Sequence, residues 1–146
     1  MNKASFFSRF IAWLVDGFAM AVIAILLSLL LSGLTGVARG TDSFLLSAAA
    51  GTLGVMVWFA ILILQFLYFG YYWNKSGQSI GMKLTGIKVI RQDGNLMSYI
   101  RAALRGTFGY WVSGLIFGLG YIWAAFDGEK EAWHDKIFDT WVVEAQ

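Results

Sequence analysis

The sequence predicts an all-α membrane protein. It has two spanning helices, a third glycine-rich hydrophobic region that either spans or re-enters as a hairpin, and a small cytoplasmic two-stranded β element. Three observations carry this reading. Of 146 residues, 58% are hydrophobic and 14% charged, with a mean hydropathy of +0.64; ordinary soluble domains are about 25% charged. Three long stretches carry no charge at all. The basic residues gather in one place, with six of the eleven Lys and Arg between Asn74 and Arg105. The length allows one domain.

The same composition removes several function classes. A net charge of +2 is too small to argue for nucleic acid. There is no cysteine, which excludes disulfides, thiolate metal sites and a cysteine nucleophile. The single histidine, His134, precludes a multi-histidine metal site within one chain. No cofactor is implied, and the sequence leaves metal binding open. The first apolar run is too long for a cleavable signal peptide and carries Asp16.

Helix 1 runs from Phe10 to Leu31, a length that suffices to cross a bilayer. Phe6, Phe7 and Phe10 mark its interface. Arg9 stands at its entrance and Asp16 lies two turns in. Seven residues of separation put the two on one face, about 10 Å apart along the axis. An intramembrane carboxylate costs roughly 2.5–3.5 kcal/mol at the bilayer centre, so a partner is expected. The pair reads either as an ion or proton site or as a structural ion pair that fixes packing. Ala24, Ser28 and Ser32 form a small-residue stripe suited to close helix contact, and the Ser32–Gly36 run ends the helix.

Helix 2 spans Phe44 to Trp73, 30 uncharged residues. This is longer than a span needs, so tilt or an interfacial extension is expected. Ser47, Ala50, Gly51 and Gly54 make a second small-residue face, and Tyr68, Phe69, Tyr71, Tyr72 and Trp73 form an aromatic belt at its end. The basic loop, Asn74 to Arg105, contrasts with a first loop holding only Arg39. The positive-inside rule therefore places this loop and the N-terminus in the cytoplasm. Within it, Leu84–Arg91 alternates as a strand and Gln92–Asn95 is a turn carrying Asp-Gly. Leu96–Leu104 reads as an amphipathic interfacial helix capped by Ser98, with Arg101 and Arg105 on one side.

The third stretch, Gly106 to Phe126, has 21 uncharged residues. Gly114 and Gly118 form a G-x-x-x-G pair, a close-packing signal, while the glycine density also permits a break. The tail, 127–146, is charged and then turns apolar at Thr140–Val143, the only other strand candidate. Pairing of that run with Leu84–Arg91 requires the C-terminus to return to the cytoplasm.

The ordered motifs resemble a known family. Arg9-x-x-Ala12-x-x-x-Asp16, the glycine-spaced segment Gln78–Val89, and the closing pattern of Trp123–Asp127, Ala132–Lys136 and Thr140–Val143 together resemble the RDD family of small bacterial membrane proteins. The family is named for one arginine and two aspartates. The resemblance implies a place in the bacterial cytoplasmic membrane and a transport role, with sodium/proton antiport ascribed to a member. Carried over, the arginine is Arg9, the first aspartate Asp16, and the second Asp135, with Asp127 as its rival. The chain departs from the family pattern at Met82, at Asp139 and in having no proline before the last helical piece.

The leading expectation is transport of small cations or protons, or of a small solute, with Arg9, Asp16, Asp135 and Asp127 as the charge cluster. Asp16 would alternately hold a proton and a cation. The alternative is a non-transporting adaptor that binds other membrane proteins. No catalytic set is read: His134 beside Asp135 has no nucleophile near it in sequence, and the chain is not expected to be an enzyme. Three short segments hardly enclose a water-lined path alone, so a homo-oligomer in the lipid bilayer is expected.

Overall fold

The computed structural model describes residues 2–39 and 43–145. Ten elements follow in order: helices α1 (Phe6–Arg39) and α2 (Phe44–Lys75), helix α3 (Ile80–Thr85), strand β1 (Ile87–Arg91), helix α4 (Tyr99–Leu104), a π-helical turn (Arg105–Gly109), helices α5 (Tyr110–Gly114), α6 (Leu119–Phe126) and α7 (Trp133–Ile137), and strand β2 (Thr140–Glu144). Phe6–Gly33 and Phe44–Lys75 are each long and apolar enough to cross a membrane. The third region is broken: Tyr99–Gly114 and Leu119–Phe126 meet at 91°. The two expected spans, the bent third region and the two-stranded sheet are therefore all present.

The chain divides into two compact units, Phe18–Leu64 and the combination of Met1–Gly17 with Gln65–Gln146. In the first, Ile25, Leu26, Leu29, Leu30, Val55, Met56 and Trp58 are all exposed, as side chains meant for lipid are. A Cβ added at Gly33, Gly51 or Gly54 would meet nothing within 4 Å, so these glycines of the unit are not in close contact with the rest of the described chain. Helix α1 does not end at Ser32–Gly36. It continues to Arg39, because nothing in that run breaks an already propagating helix; the rest of the first loop lies outside the described residues.

The second unit holds the core. Phe69 and Trp73 at the end of α2 pack with Met82 of α3, Ile87 and Val89 of β1, Met97, Ala102 of α4 and Val142 of β2. The belt read as a bilayer anchor is thus partly core: Trp73 is fully buried. Strands β1 and β2 pair antiparallel, from Ile87 opposite Glu144 to Arg91 opposite Thr140. The N-terminal residues close the other edge of β2 through a Lys3–Val143 bridge, with Ala4 N donating to Val142 O at 2.9 Å. One sheet therefore ties together the N-terminus, the middle loop and the tail. All three must lie on one side of the bilayer.

Three local expectations are corrected. Leu84 and Thr85 belong to α3, whose Ser79 cap accepts from Met82 N and whose Gly86 cap turns left-handed, so the strand starts at Ile87. Gly114 and Gly118 form no packing seam within the described chain: Gly114 has no neighbour within 4 Å of a Cβ. Instead Phe117 and Gly118 take positive φ, 47° and 74°, and make the break between α5 and α6. Arg101 and Arg105 do face one side, that of the tail, but not as an interfacial pair. Arg101 meets Asp139 at 3.2 Å in the open, whereas Arg105 is wholly buried.

Candidate functional site

The site lies in the unit that holds the sheet, where the start of α1, the end of α2, α3, the π turn and α7 converge. Asp135 is its most constrained residue. It sits in the first turn of α7, where its Oδ2 accepts from Ala132 N at 3.0 Å and from Arg9 Nη1 at 2.7 Å. Its Oδ1 pairs with Arg105 Nη2. Thr140 at the start of β2 accepts from Arg105 Nε at 3.0 Å, and Arg9 Nη2 reaches Val142 O at 3.3 Å. Two forked guanidiniums thus hold one carboxylate and the neighbouring strand, a use to which Arg is suited and Lys is not. The Arg105 guanidinium also lies over the Trp73 ring, 4.6 Å from its centroid.

Burial alone would push the Asp135 carboxyl up. The Arg105 guanidinium first, and Arg9 behind it, outweigh burial and hold the group well below the usual carboxylate range. His134 next to it goes the opposite way from a charged partner. Burial drives its pKa down to about 3, so the ring is neutral at ordinary pH. Its Nδ1 shares a 2.8 Å hydrogen bond with Ser113 Oγ, which also accepts from His134 N at 3.3 Å. Ser113 is fully buried and serves to seat the histidine.

Asp16 is buried too, but it is held differently. Tyr68 Oη donates to Oδ1 at 2.8 Å, Gly81 N donates to the same oxygen at 2.8 Å, and Ser79 Oγ donates to Oδ2 at 2.5 Å. Tyr68 in turn accepts from Ile80 N at 3.0 Å. These contacts require close approach of α3 to α1: a Cβ at Gly81 would stand 2.1 Å from Ala12 O. Only glycine leaves the amide free to reach Asp16 there. Gly106 plays the same part in the π turn, where a Cβ would stand 2.3 Å from the Phe69 ring.

The sequence-predicted residues therefore separate into two anchors. Arg9 and Asp135 come together as expected. The Arg9–Asp16 ion pair does not form, because Tyr68 of α2, the α3 cap Ser79 and Gly81 of α3 bring three neutral donors to Asp16 while Arg9 turns to the tail. Asp127 is not in the cluster. It pairs with Lys136 at 2.5 Å and accepts from Glu129 N and Glu131 N, which turn the loop before α7. Arg9, Asp16, Arg105 and His134 all line one mainly apolar cavity of about 250 Å³, walled by Phe6, Phe10, Trp13, Tyr110 and Tyr121. No cluster of three or more His, Asp or Glu placed to hold a metal occurs among the described residues.

The sequence reading missed Arg105, Tyr68 and Thr140 as site members. Arg105 had a signal, since it is a charge at the edge of an uncharged stretch. The π turn that begins at it widens the helix and sinks its side chain.

A family model described as the RDD family matches residues 3–139 of this chain. The chain belongs to the RDD family. This membership and the two helices long enough to cross a bilayer make it a membrane protein. The RDD protein is also similar to an uncharacterized protein, YxaI, of Bacillus subtilis (strain 168). The two are 32% identical over 149 residues, covering 97% of each chain. No solved structure matches it. Within the RDD protein, two departures from the family pattern have places in the fold: Met82 is a core side chain, and Asp139 takes a positive φ of 48° facing Arg101.

Proposed function

We propose that this RDD protein is a membrane transporter of small cations or protons, in which Asp16 is the exchanging carboxylate. The observation that carries this reading is the contrast between its two buried aspartates. Asp135 is neutralised by two arginines. Asp16 faces the cavity, and every partner it has among the described residues is an uncharged donor. A proton or a small cation arriving at Asp16 changes the charge of the site without breaking any ion pair. The Arg9–Asp135–Arg105 group is the fixed frame, and Asp16 is the working residue.

In this proposal the sheet side, with its basic loop, faces the cytoplasm of a bacterial cell, and the N-terminus with it. A path across the bilayer is completed by further copies of the chain, since the apolar faces of α1 and α2 are left open for lipid or another copy. The test uses purified protein in sealed vesicles with a trapped pH dye and imposed gradients of a panel of alkali cations. Exchange of a cation for protons by the protein alone is the expected result. Vesicles that hold every gradient as tightly as protein-free ones would overturn the proposal in favour of a non-transporting adaptor.

A further inference from the structure

We infer that the cavity beside Arg9 and Arg105 binds an anionic amphiphile, with its carboxylate or phosphate headgroup at the two arginines and its hydrocarbon chain leaving along α1 into the bilayer. Hydrogen-bonding capacity gives the first argument. The Asp16 and Asp135 oxygens already accept from Tyr68, Ser79 and Gly81, and from Arg9, Arg105 and Ala132, respectively. What remains unpaired on the cavity's charged residues is donor only: Arg9 Nε and Arg105 Nη1 are buried and make no well-formed hydrogen bond, Arg105 having only a weak approach to the Tyr110 hydroxyl. Buried guanidinium N–H groups without an acceptor are rare, and carboxylate or phosphate oxygens fit them best.

The walls give the second argument. Phe6, Phe10, Trp13 and Tyr121 form a continuous row of rings, with centroids 6.3, 6.1 and 5.7 Å apart in turn. Phe6, Phe10, Trp13 and Ile122 line the cavity and are also exposed, so an apolar chain entering from lipid meets no polar barrier. The volume of about 250 Å³ is below the roughly 300–1,000 Å³ of sites that enclose a whole drug-sized ligand. It suits a headgroup and the first carbons of a chain whose remainder stays in the membrane. The formal charges of Arg9, Arg105, Asp16 and Asp135 cancel, so the headgroup is held by directed donors rather than by net charge.

This inference is independent of transport, because binding is read without any ion gradient. The experiment uses the full chain in detergent and in nanodiscs, with brominated probes that quench tryptophan fluorescence. The probes are a brominated fatty acid and its alcohol, and brominated phosphatidylglycerol and phosphatidylcholine. The expected result is saturable quenching at least tenfold tighter for an anionic probe than for its neutral counterpart. Trp13→Phe should lose that saturable component. Preference for the fatty acid alone identifies a free carboxylate as the ligand, preference for phosphatidylglycerol alone identifies a phospholipid, and preference in both pairs assigns the shared headgroup chemistry. Arg9→Lys keeps a charge for Asp135 but removes the Nε donor, and should reduce the anionic preference to less than threefold. Equal affinity for charged and neutral probes in wild type, or saturable quenching that survives Trp13→Phe, overturns the inference.

Discussion

Arg105 and Asp135 form an ion pair in which neither side chain is exposed to solvent. The pair joins the π turn to α7, and Thr140 accepting from Arg105 Nε joins both to β2. Removing one member of a buried pair typically costs about 3–5 kcal/mol, because the other charge stays buried alone. Asp135→Asn should therefore lower the melting temperature of the detergent-solubilised protein steeply, as should Arg105→Gln. The exposed Lys136→Ala, which loses the surface pair with Asp127 and the approach to the Trp123 ring, should change it little. A stable Asp135→Asn protein would show that the two arginines find other partners.

Gly81 makes a second test. A Cβ there would stand 2.1 Å from a backbone oxygen of Ala12, so the contact cannot be relieved by a side-chain rotation. Gly81→Ala should push α3 off α1, at a cost of about 1–3 kcal/mol for overpacking, and should lengthen or break the Gly81 N–Asp16 bond. Gly114→Ala, where the added Cβ meets nothing within 4 Å, is the control and should be neutral or slightly stabilising. Equal effects of the two would contradict the close packing of α3.

Stability should depend on pH through His134. Its folded pKa of about 3 lies below the unfolded value of about 6.5. Between these values the unfolded chain binds the extra proton, so stability rises with pH and is fully present above about 6.5. The slope from this one group is at most about 1.4 kcal/mol per pH unit. Asp135, whose pKa is depressed, contributes stability that is present above about 3.9 and lost only as pH falls further. Melting temperatures measured from pH 4 to pH 8 should fall toward acid in wild type. The part of that slope due to His134 should vanish in His134→Gln. An unchanged slope in the variant would show that the ring is not buried neutral.

The shared sheet fixes the topology. Because Lys3 bridges Val143 and β2 pairs with β1, cysteines placed at Asn2 and Ala145 should react with an impermeant reagent from the same side. The sequence has no native cysteine to confuse the labelling. Opposite reactivity of the two positions would contradict the sheet.

How much of this was legible beforehand depended on whether a signal was local. Charge-free length marked both spans, and glycine density marked the break that Phe117 and Gly118 make. The strand pairing followed from there being two candidates. The partner of Asp16 was not legible. Arg9 lies seven residues away on the same helix, so helical periodicity suggested it; yet the actual donors come from Tyr68, Ser79 and Gly81, 52 to 65 positions away. Such choices are made by tertiary packing, here by the fit of Gly81 onto Ala12. Arg105 was hidden for a related reason: a charge at the end of a basic loop reads as solvated until the fold covers it.

In the proposed exchange Asp16 is the group that takes up and releases the ion, while Asp135 is part of the frame. The direct test is cation/proton exchange by vesicles containing Asp16→Asn, alongside wild type, with insertion and melting temperature measured on the same preparations. Asn keeps an oxygen to accept from Gly81 N or Tyr68 but loses the charge. The expected result is that Asp16→Asn inserts and remains folded, with a modest loss of stability of about 1–3 kcal/mol, and that exchange is abolished. An Asp16→Asn protein that exchanges at the wild-type rate would contradict it.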